Sequence, residues 1–245
     1  MDAMLRATAR NEEDHFWFRG LRRHARLLLD AALAGRTITH IVDCGAGTGR
    51  NADWLRDYGH VVAIERSETG LAAARALGRA MVRGSVTALP LRDASMDLAT
   101  SFDVLYCLDD ASEAQALREM HRVLKPGGLV IANAAALDIL KGSHSALTME
   151  IRRYTRASLS NKLTAAGFLV RRVTFTNLTP FPFALGVRGL ERLRGRAGEA
   201  SDADLQSPAA PVNAIFDLTL RAEAAWLKIA NLPIGTSVMA VAEKS

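Results

Sequence analysis

The chain alternates short, β-branched apolar runs with longer segments in which apolar residues recur at helical spacing. Seven runs predict strands, at 39–44, 60–65, 80–83, 97–102, 129–133, 168–176 and 235–242. Because the first five alternate with helical segments, they favour a Rossmann-like, doubly wound α/β sheet of about seven strands. In such a sheet, ligands lie beyond the carboxyl ends of the strands.

Between the strands, apolar residues three and four positions apart predict amphipathic helices. After the first strands these helices cover 71–77, 110–124, 156–166, 181–194 and 212–230. Thr155 is the expected N-cap of the 156–166 helix, and Gly167 its stop. Residues 1–34 also show helical spacing, which the acidic and aromatic stretch 11–20 is expected to break.

This pattern predicts one domain with four parts, namely an N-terminal helical lid (1–36), a cofactor-binding core (37–178), a helical insertion (179–233) and the last strand (234–245). The aromatic run at 16–18 either fixes the N-terminal helices on the sheet or serves as a lid that excludes water from the site. The insertion has three alternatives: packing on its own domain, pairing with a second copy as a homodimer, or contact with a membrane surface. Packing on its own domain or on a twin is the preferred interpretation.

Composition narrows the classes of protein. With 245 residues, 49% of them hydrophobic, the chain can bury a full core. The net charge of +5 comes without basic runs interleaved with aromatics, which argues against nucleic-acid binding. Two cysteines, a charged first 20 residues and the lack of a long apolar run favour the cytoplasm and argue against a transmembrane segment.

The candidate chemistry begins at the first strand, which ends in a turn with glycine at 45, 47 and 49. Dinucleotide sites would require glycine at position 50, where this chain has Arg50. Glu65 ends the second strand, where an acid contacts ribose hydroxyls. Asp43 adds a negative charge that would repel a pyrophosphate. A cationic, phosphate-free nucleoside fits both acids better.

Four motifs in order resemble those of class I methyltransferases: Val42-Asp43-Cys44-Gly45-Ala46-Gly47-Thr48-Gly49, then Glu65, then 84–90, then 124–128. The resemblance spans roughly 39–175 and implies S-adenosyl-L-methionine as cofactor, with S-adenosyl-L-homocysteine as product. No metal site is expected, because nothing visible in the sequence requires one. Relatives carry Asp where Ser85 stands, so a weaker bond to the adenine amino group is expected here.

The predicted cofactor-binding residues are Trp17, Arg22, Asp43, Gly45, Ala46, Gly47, Glu65, Arg66, Ser85, Val86, Phe102, Asp103 and Val104. If the N-terminal helices form a lid, Arg19, Arg22 and Arg23 are the candidates to meet the methionine carboxylate. Tyr106 and Cys107 replace the Glu and His that relatives often carry after the fourth strand. A general base at that position is therefore in doubt.

The stretch 134–156 is expected to cover the acceptor site, and it resembles a bacterial branch of the family with His-Asp here and a second His before Arg-Arg-Tyr-Thr. His144 matches the first histidine, whereas Ser145 and Glu150 replace the other two residues. His144, Tyr106 and Tyr154 are the catalytic candidates, with His144 as a general base or simply a solvated loop residue. Predicted acceptor contacts are Phe16, Tyr106, His144, Glu150 and Arg153.

The resemblance implies transfer of a methyl group to O, N or C of a small molecule, a specialised metabolite being one such acceptor. Two alternatives stay open: a decarboxylase or cyclase on the same scaffold, and a cofactor-binding regulatory subunit.

Overall fold

The computed structural model describes residues 2–142, 145, 149–193 and 208–245. Its strands are β1 (His40–Cys44), β2 (His60–Glu65), β3 (Val82–Arg83), β4 (Met96–Phe102), β5 (Leu124–Ala135), β6 (Phe168–Thr176) and β7 (Ser237–Lys244). Its helices are α1 (Asp2–Asn11), α2 (Phe16–Leu33), α3 (Arg50–Leu55), α4 (Glu68–Ala76), α5 (Asp110–Val123), α6 (Arg156–Ala165), α7 (Phe181–Leu193) and α8 (Ala210–Leu227).

The strands form one seven-stranded sheet in the order β3-β2-β1-β4-β5-β7-β6. β1 to β5 pair in parallel, and β7 runs antiparallel to both β5 and β6. The strand order reverses between β1 and β4, which leaves a crevice beyond their carboxyl ends. This sheet, with helices on both faces, confirms the predicted Rossmann-like fold.

Alternate residues of the central strands pack against different helices, because successive side chains point to opposite faces. On one face, Ile41 and Leu98 contact α2 through residues such as Leu28 and Leu29. On the other face, the core contains β1 and β5 residues together with α5 and α6. Most of α2 therefore belongs to the core layer, and within the N-terminal segment α1 and the start of α2 cover the crevice.

The helical pattern is interrupted within 11–20 as predicted, but only between the end of α1 at Asn11 and the start of α2 at Phe16, where the His15 Nδ1 accepts a bond from the Trp17 N–H at 3.1 Å. The strand predicted at 129–133 was too short, since β5 begins at Leu124, which pairs with Met96 across a register shift. By contrast, Thr155 caps α6 as predicted, in a reciprocal pair of bonds with Ser158.

Candidate functional site

A cavity of about 950 Å³ opens at the carboxyl ends of β1, β2 and β4, where the strand order reverses. Its floor consists of the turns after these strands, and its cover consists of α1, the start of α2, α7 and the start of α8. The predicted residues that line it are Phe16, Trp17, Arg22, Gly45, Ala46, Gly47, Glu65, Arg66, Ser85, Val86, Phe102, Asp103, Val104, Tyr106, Glu150 and Arg153.

The glycine turn after β1 requires residues without a side chain. Gly45, Gly47 and Gly49 have φ values of 75°, 59° and 77°, which lie in the left-handed region. A Cβ on Gly45 would lie 2.6 Å from Val104 Cγ2. At Gly47 it would meet only Leu5 of α1, at 3.4 Å. The turn therefore packs tightly beneath Gly45 and presents bare backbone to the cavity at Gly47.

Glu65 is held in place by backbone donors on both sides. Its Oε2 accepts a bond from the Gly47 N–H at 2.8 Å, and its Oε1 from the Ser67 N–H at 2.7 Å. The carboxylate thus occupies the Gly47 amide, a group that a phosphate-binding turn would offer to its ligand. The remaining lone pairs of this carboxylate can still accept bonds from the hydroxyls of a sugar.

Asp43 differs from its predicted position, since it does not line the cavity. Its side chain is buried beneath the turn, where Oδ1 accepts a bond from Thr100 Oγ1 at 2.6 Å. Oδ2 has no hydrogen-bond partner among the described residues. Burial raises the pKa of Asp43 to about 6, aided by the nearby charge of Glu65 and opposed by the Thr100 bond. Asp43 can act on a ligand only through its charge.

Asp103 places in the cavity a carboxyl group with an unusually high pKa. The residue has a φ of 61°, and its Oδ1 accepts a bond from Asn133 Nδ2 at 2.8 Å. Burial raises the pKa of Asp103 to about 7, the Asn133 bond opposes this, and the charge of Glu150 adds to it. Near neutral pH this carboxyl would respond strongly to a cation placed beside it.

Ser85 and Val86, which follow β3, line the cavity, as does the exposed Arg66 after β2. The Ser85 and Thr87 hydroxyl oxygens are 2.8 Å apart, and Ser85 Oγ also accepts from the Thr87 N–H at 3.2 Å. This short turn of neutral hydroxyls suits a heterocyclic base with donor and acceptor groups.

The N-terminal cover is tied to the glycine turn by charged groups that the sequence did not single out. Glu12 Oε2 accepts a bond from Thr48 Oγ1 at 2.6 Å, and Glu12 Oε1 pairs with Arg79 at 3.2 Å. Arg22 donates to the carbonyl oxygen of Glu12 at 3.0 Å, and burial lowers the pKa of its guanidinium. Arg22 is the cation of α2 that lines the cavity.

On the opposite wall, Glu150 and Arg153 form a buried ion pair. Two bonds join them, Nε to Oε1 at 2.6 Å and Nη2 to Oε2 at 3.0 Å. Ser145 Oγ donates to Glu150 Oε1 at 2.9 Å. The two positions that depart from the family pattern, Ser145 and Glu150, therefore contact each other. Arg152 lies elsewhere, bonded to the Leu108 carbonyl and to Glu113.

The catalytic candidates have three different outcomes. Tyr106 lines the cavity, and burial raises the pKa of its hydroxyl well above the usual value, so it keeps its proton. Tyr154 lies in the core rather than on the cavity, and its hydroxyl donates to Glu113 Oε1 at 2.6 Å. That placement does not favour the predicted catalytic role of Tyr154. His144 lies outside the described residues.

Sequence reasoning missed an aromatic part of the cover. Phe216 of α8 stacks on Phe16 with ring centroids 4.7 Å apart, and Phe183 of α7 lies 6.0 Å from Phe216. All three line the cavity. The amphipathic pattern of α7 and α8 predicted a buried face, but it could not show that this face meets α2.

The donor set fits a cationic nucleoside without phosphate. Carboxyl groups at Glu65 and Asp103 line the cavity, and Asp43 adds its charge from below. The Gly47 amide already binds a carboxylate, so a phosphate there would meet like charge. These residues suit the ribose, ammonium and sulfonium of S-adenosyl-L-methionine.

A family model described as a methyltransferase domain matches residues 42–132, which run from β1 into β5. A probable S-adenosylmethionine-dependent methyltransferase from Mycolicibacterium smegmatis is 33% identical over 165 residues, 64% of this chain and 61% of that protein. A malonyl-[acyl-carrier protein] O-methyltransferase from Pseudescherichia vulneris is 37% identical over 130 residues, 51% of each. The chain thus spans less than two thirds of the length of these relatives.

A solved structure has a similar fold. It is phosphoethanolamine N-methyltransferase 2 from Haemonchus contortus in complex with S-adenosyl-L-methionine, with a TM-score of 0.61 at 15% identity. The match covers 100% of this chain and 57% of that one, and at this identity it shows the fold alone. The motifs, the sheet topology and the methyltransferase domain matched at 42–132 make this chain similar to class I S-adenosylmethionine-dependent methyltransferases.

Proposed function

We propose that the protein is an S-adenosyl-L-methionine-dependent methyltransferase that acts on O, N or C of a small molecule. The observation that carries this proposal is the bond from the Gly47 N–H to Glu65 at 2.8 Å. Because of this bond, the Gly47 N–H is not available to a phosphate, and the Glu65 carboxylate faces the cavity. That negative charge attracts a cationic nucleoside, whereas it repels the pyrophosphate of a dinucleotide.

In this proposal the cofactor rests on Gly45, Ala46 and Gly47, with its ribose bonded to Glu65. Ser85 and Val86 bind the adenine, and Asp103 lies near the ammonium. The remaining contacts come from Trp17, Arg22, Arg66, Phe102 and Val104, all of which line the cavity. When bound, the cofactor supplies an electrophilic methyl group on sulfur.

The protein's own residues orient the acceptor and exclude water, which is the larger part of catalysis when two reactants must align. Tyr106 keeps its proton and can donate a hydrogen bond to the acceptor. Glu150 is fixed by Arg153 and Ser145, and can accept one. His144 stays the predicted general base. Cys44 and Cys107 are not joined in a disulfide, which agrees with the proposed cytoplasmic location.

Binding and turnover can be separated by one pair of variants. Glu65→Gln should weaken binding of S-adenosyl-L-homocysteine about tenfold or more, because it removes the charge of a charge-assisted bond. The control is Glu68→Gln, whose carboxylate is exposed and lies 3.5 Å from Arg83. Calorimetry measures both.

Turnover is then measured by transfer of label from methyl-labelled cofactor to a panel of hydroxyl, amine and carbon acceptors. Labelled product supports the proposal. Tight cofactor binding without label transfer to any acceptor would instead support a regulatory subunit, and equal binding by both variants would contradict the role of Glu65.

A further inference from the structure

The outer face of α8 is apolar although it faces solvent. Ile215, Leu218 and Trp226 are 62%, 67% and 55% exposed, and Ala222 lies between them. These four positions are separated by three or four residues, so they share one side of the helix. Ile229 extends the same side just past the helix end and is 85% exposed. We call this set the α8 face.

α8 already uses its other side to pack on its own domain, as expected for the insertion. Asp217, Leu220, Glu223 and Leu227 are buried. Glu223 accepts bonds from the backbone N–H groups of Leu178 and Thr179 at 3.0 and 2.7 Å. The α8 face therefore stays exposed although the opposite side of the helix is packed on the domain. Contiguous exposed apolar surface of this kind marks an interaction site.

The charges of α8 indicate which class of partner the α8 face would bind. Both acids of the helix, Asp217 and Glu223, are buried and bonded. Asp217 pairs with the exposed Arg221 at 2.9 Å and also with Arg23 at 3.1 Å, so cations outnumber this acid, and the adjoining Lys228 is exposed as well. The exposed charge of the helix is thus positive. A second copy would bring the same cations together, while an anionic bilayer would neutralise them. An apolar stripe with Trp and flanking cations is typical of helices that lie in the membrane interface.

The α8 face also continues into the cavity. Val212, one turn before Ile215, is 42% exposed and lines the cavity mouth. Phe183 is 65% exposed and also lines the cavity mouth. Its ring contacts that of Phe216, which stacks on Phe16 farther inside the cavity. The apolar path from surface to interior is continuous.

We propose that the α8 face docks on an anionic membrane surface, with the apolar mouth of the cavity turned toward the lipid. Among the described residues no helix is long and apolar enough to cross a membrane, so the contact is interfacial. The placement suits a lipid-soluble acceptor, a point that rests on the proposed function.

The test uses the full chain with vesicles of phosphatidylglycerol and phosphatidylcholine, and with pure phosphatidylcholine vesicles, in a sedimentation assay. The protein should bind the anionic vesicles more tightly, and added salt should weaken binding. Ile215→Ser with Leu218→Ser should lower partitioning roughly 30-fold, because two apolar side chains no longer enter the lipid. Leu77→Ser, at a site 52% exposed in another part of the surface, is the matched control.

Charge is tested separately. Lys228→Gln should weaken anionic vesicle binding about fivefold, whereas Arg92→Gln, an exposed cation in the turn before β4, should not change it. Unfolding midpoints and binding of S-adenosyl-L-homocysteine verify that each variant is folded. The proposal is overturned if the unaltered protein ignores anionic vesicles, or if the serine variants instead dissociate a dimer in equilibrium sedimentation. Vesicle binding requires no turnover, so it and methyl transfer can fail independently.

Discussion

The two walls of the cavity are built differently. The wall at β1 and β2 consists of backbone, with a glycine turn whose Gly47 N–H bonds Glu65 only 18 positions along the chain. The opposite wall consists of side chains from distant segments, namely the Glu150–Arg153 pair and the rings of Phe16, Phe183 and Phe216. A wall made of backbone suits a ligand that stays the same, such as the cofactor. Residues of a wall made of side chains can be substituted without disturbing the strands, so this wall suits an acceptor that varies.

This difference predicts that the ion pair of the side-chain wall carries the largest cost. Glu150→Ala leaves Arg153 buried without its partner and should lower the free energy of unfolding by about 3–5 kcal/mol. The control is Asp138→Ala, which breaks the exposed pair with Lys141 at the same spacing and should cost under about 1 kcal/mol. Urea unfolding measures both. Equal costs would show that burial does not distinguish the two pairs.

Replacement of a glycine tests the wall that consists of backbone. Gly45→Ala should cost about 1–3 kcal/mol in backbone strain, and its Cβ would meet Val104 at 2.6 Å. Affinity for S-adenosyl-L-homocysteine should fall roughly 100-fold, because the Val104 contact forces a shift of the turn on which the cofactor is proposed to rest. Gly35→Ala has the same strain, at φ 84°, but meets nothing within 4 Å. Unchanged affinity in Gly45→Ala would contradict the proposed seat of the cofactor.

Two tyrosines sharpen the comparison further. Tyr154→Phe removes a bond to Glu113 and should cost about 1.5 kcal/mol in the free energy of unfolding with little effect on turnover. Tyr106→Phe should leave stability unchanged and lower turnover about tenfold, because it removes one hydrogen bond in the cavity. Thermal unfolding and labelled methyl transfer separate the two. The reverse assignment would restore Tyr154 as the catalytic candidate.

The smallest expected effect concerns pH. Burial raises the pKa of Asp103 to about 7 and that of Asp43 to about 6, so both carboxyls lose their charge as pH falls. Cationic S-adenosyl-L-methionine should therefore bind about threefold or more weakly at pH 5.5 than at pH 8, and S-adenosyl-L-homocysteine, which lacks the sulfonium, should change less. Asp103→Asn should flatten the difference.

The same carboxyls affect stability with the opposite sign. Because their folded pKa values lie above the unfolded value of 3.8, ionisation removes stability as pH rises from about 4 through about 7. Bound cation should reduce that loss. Calorimetric unfolding across this range, with and without cofactor, measures both effects.

Sequence by itself determined the strands, the doubly wound sheet, the glycine turn and the position of Glu65. These features depend on periodicity and on backbone geometry between residues close along the chain. The N-cap at Thr155 belongs to the same class.

Tertiary structure decided what depends on packing between distant segments. It turned Asp43 beneath the turn, placed Tyr154 in the core, joined Ser145 to Glu150 and stacked Phe216 on Phe16. It also decided which side of α8 stays exposed. An amphipathic pattern states that a helix has an apolar side, but only the surrounding helices determine whether that side is covered or left to meet a partner.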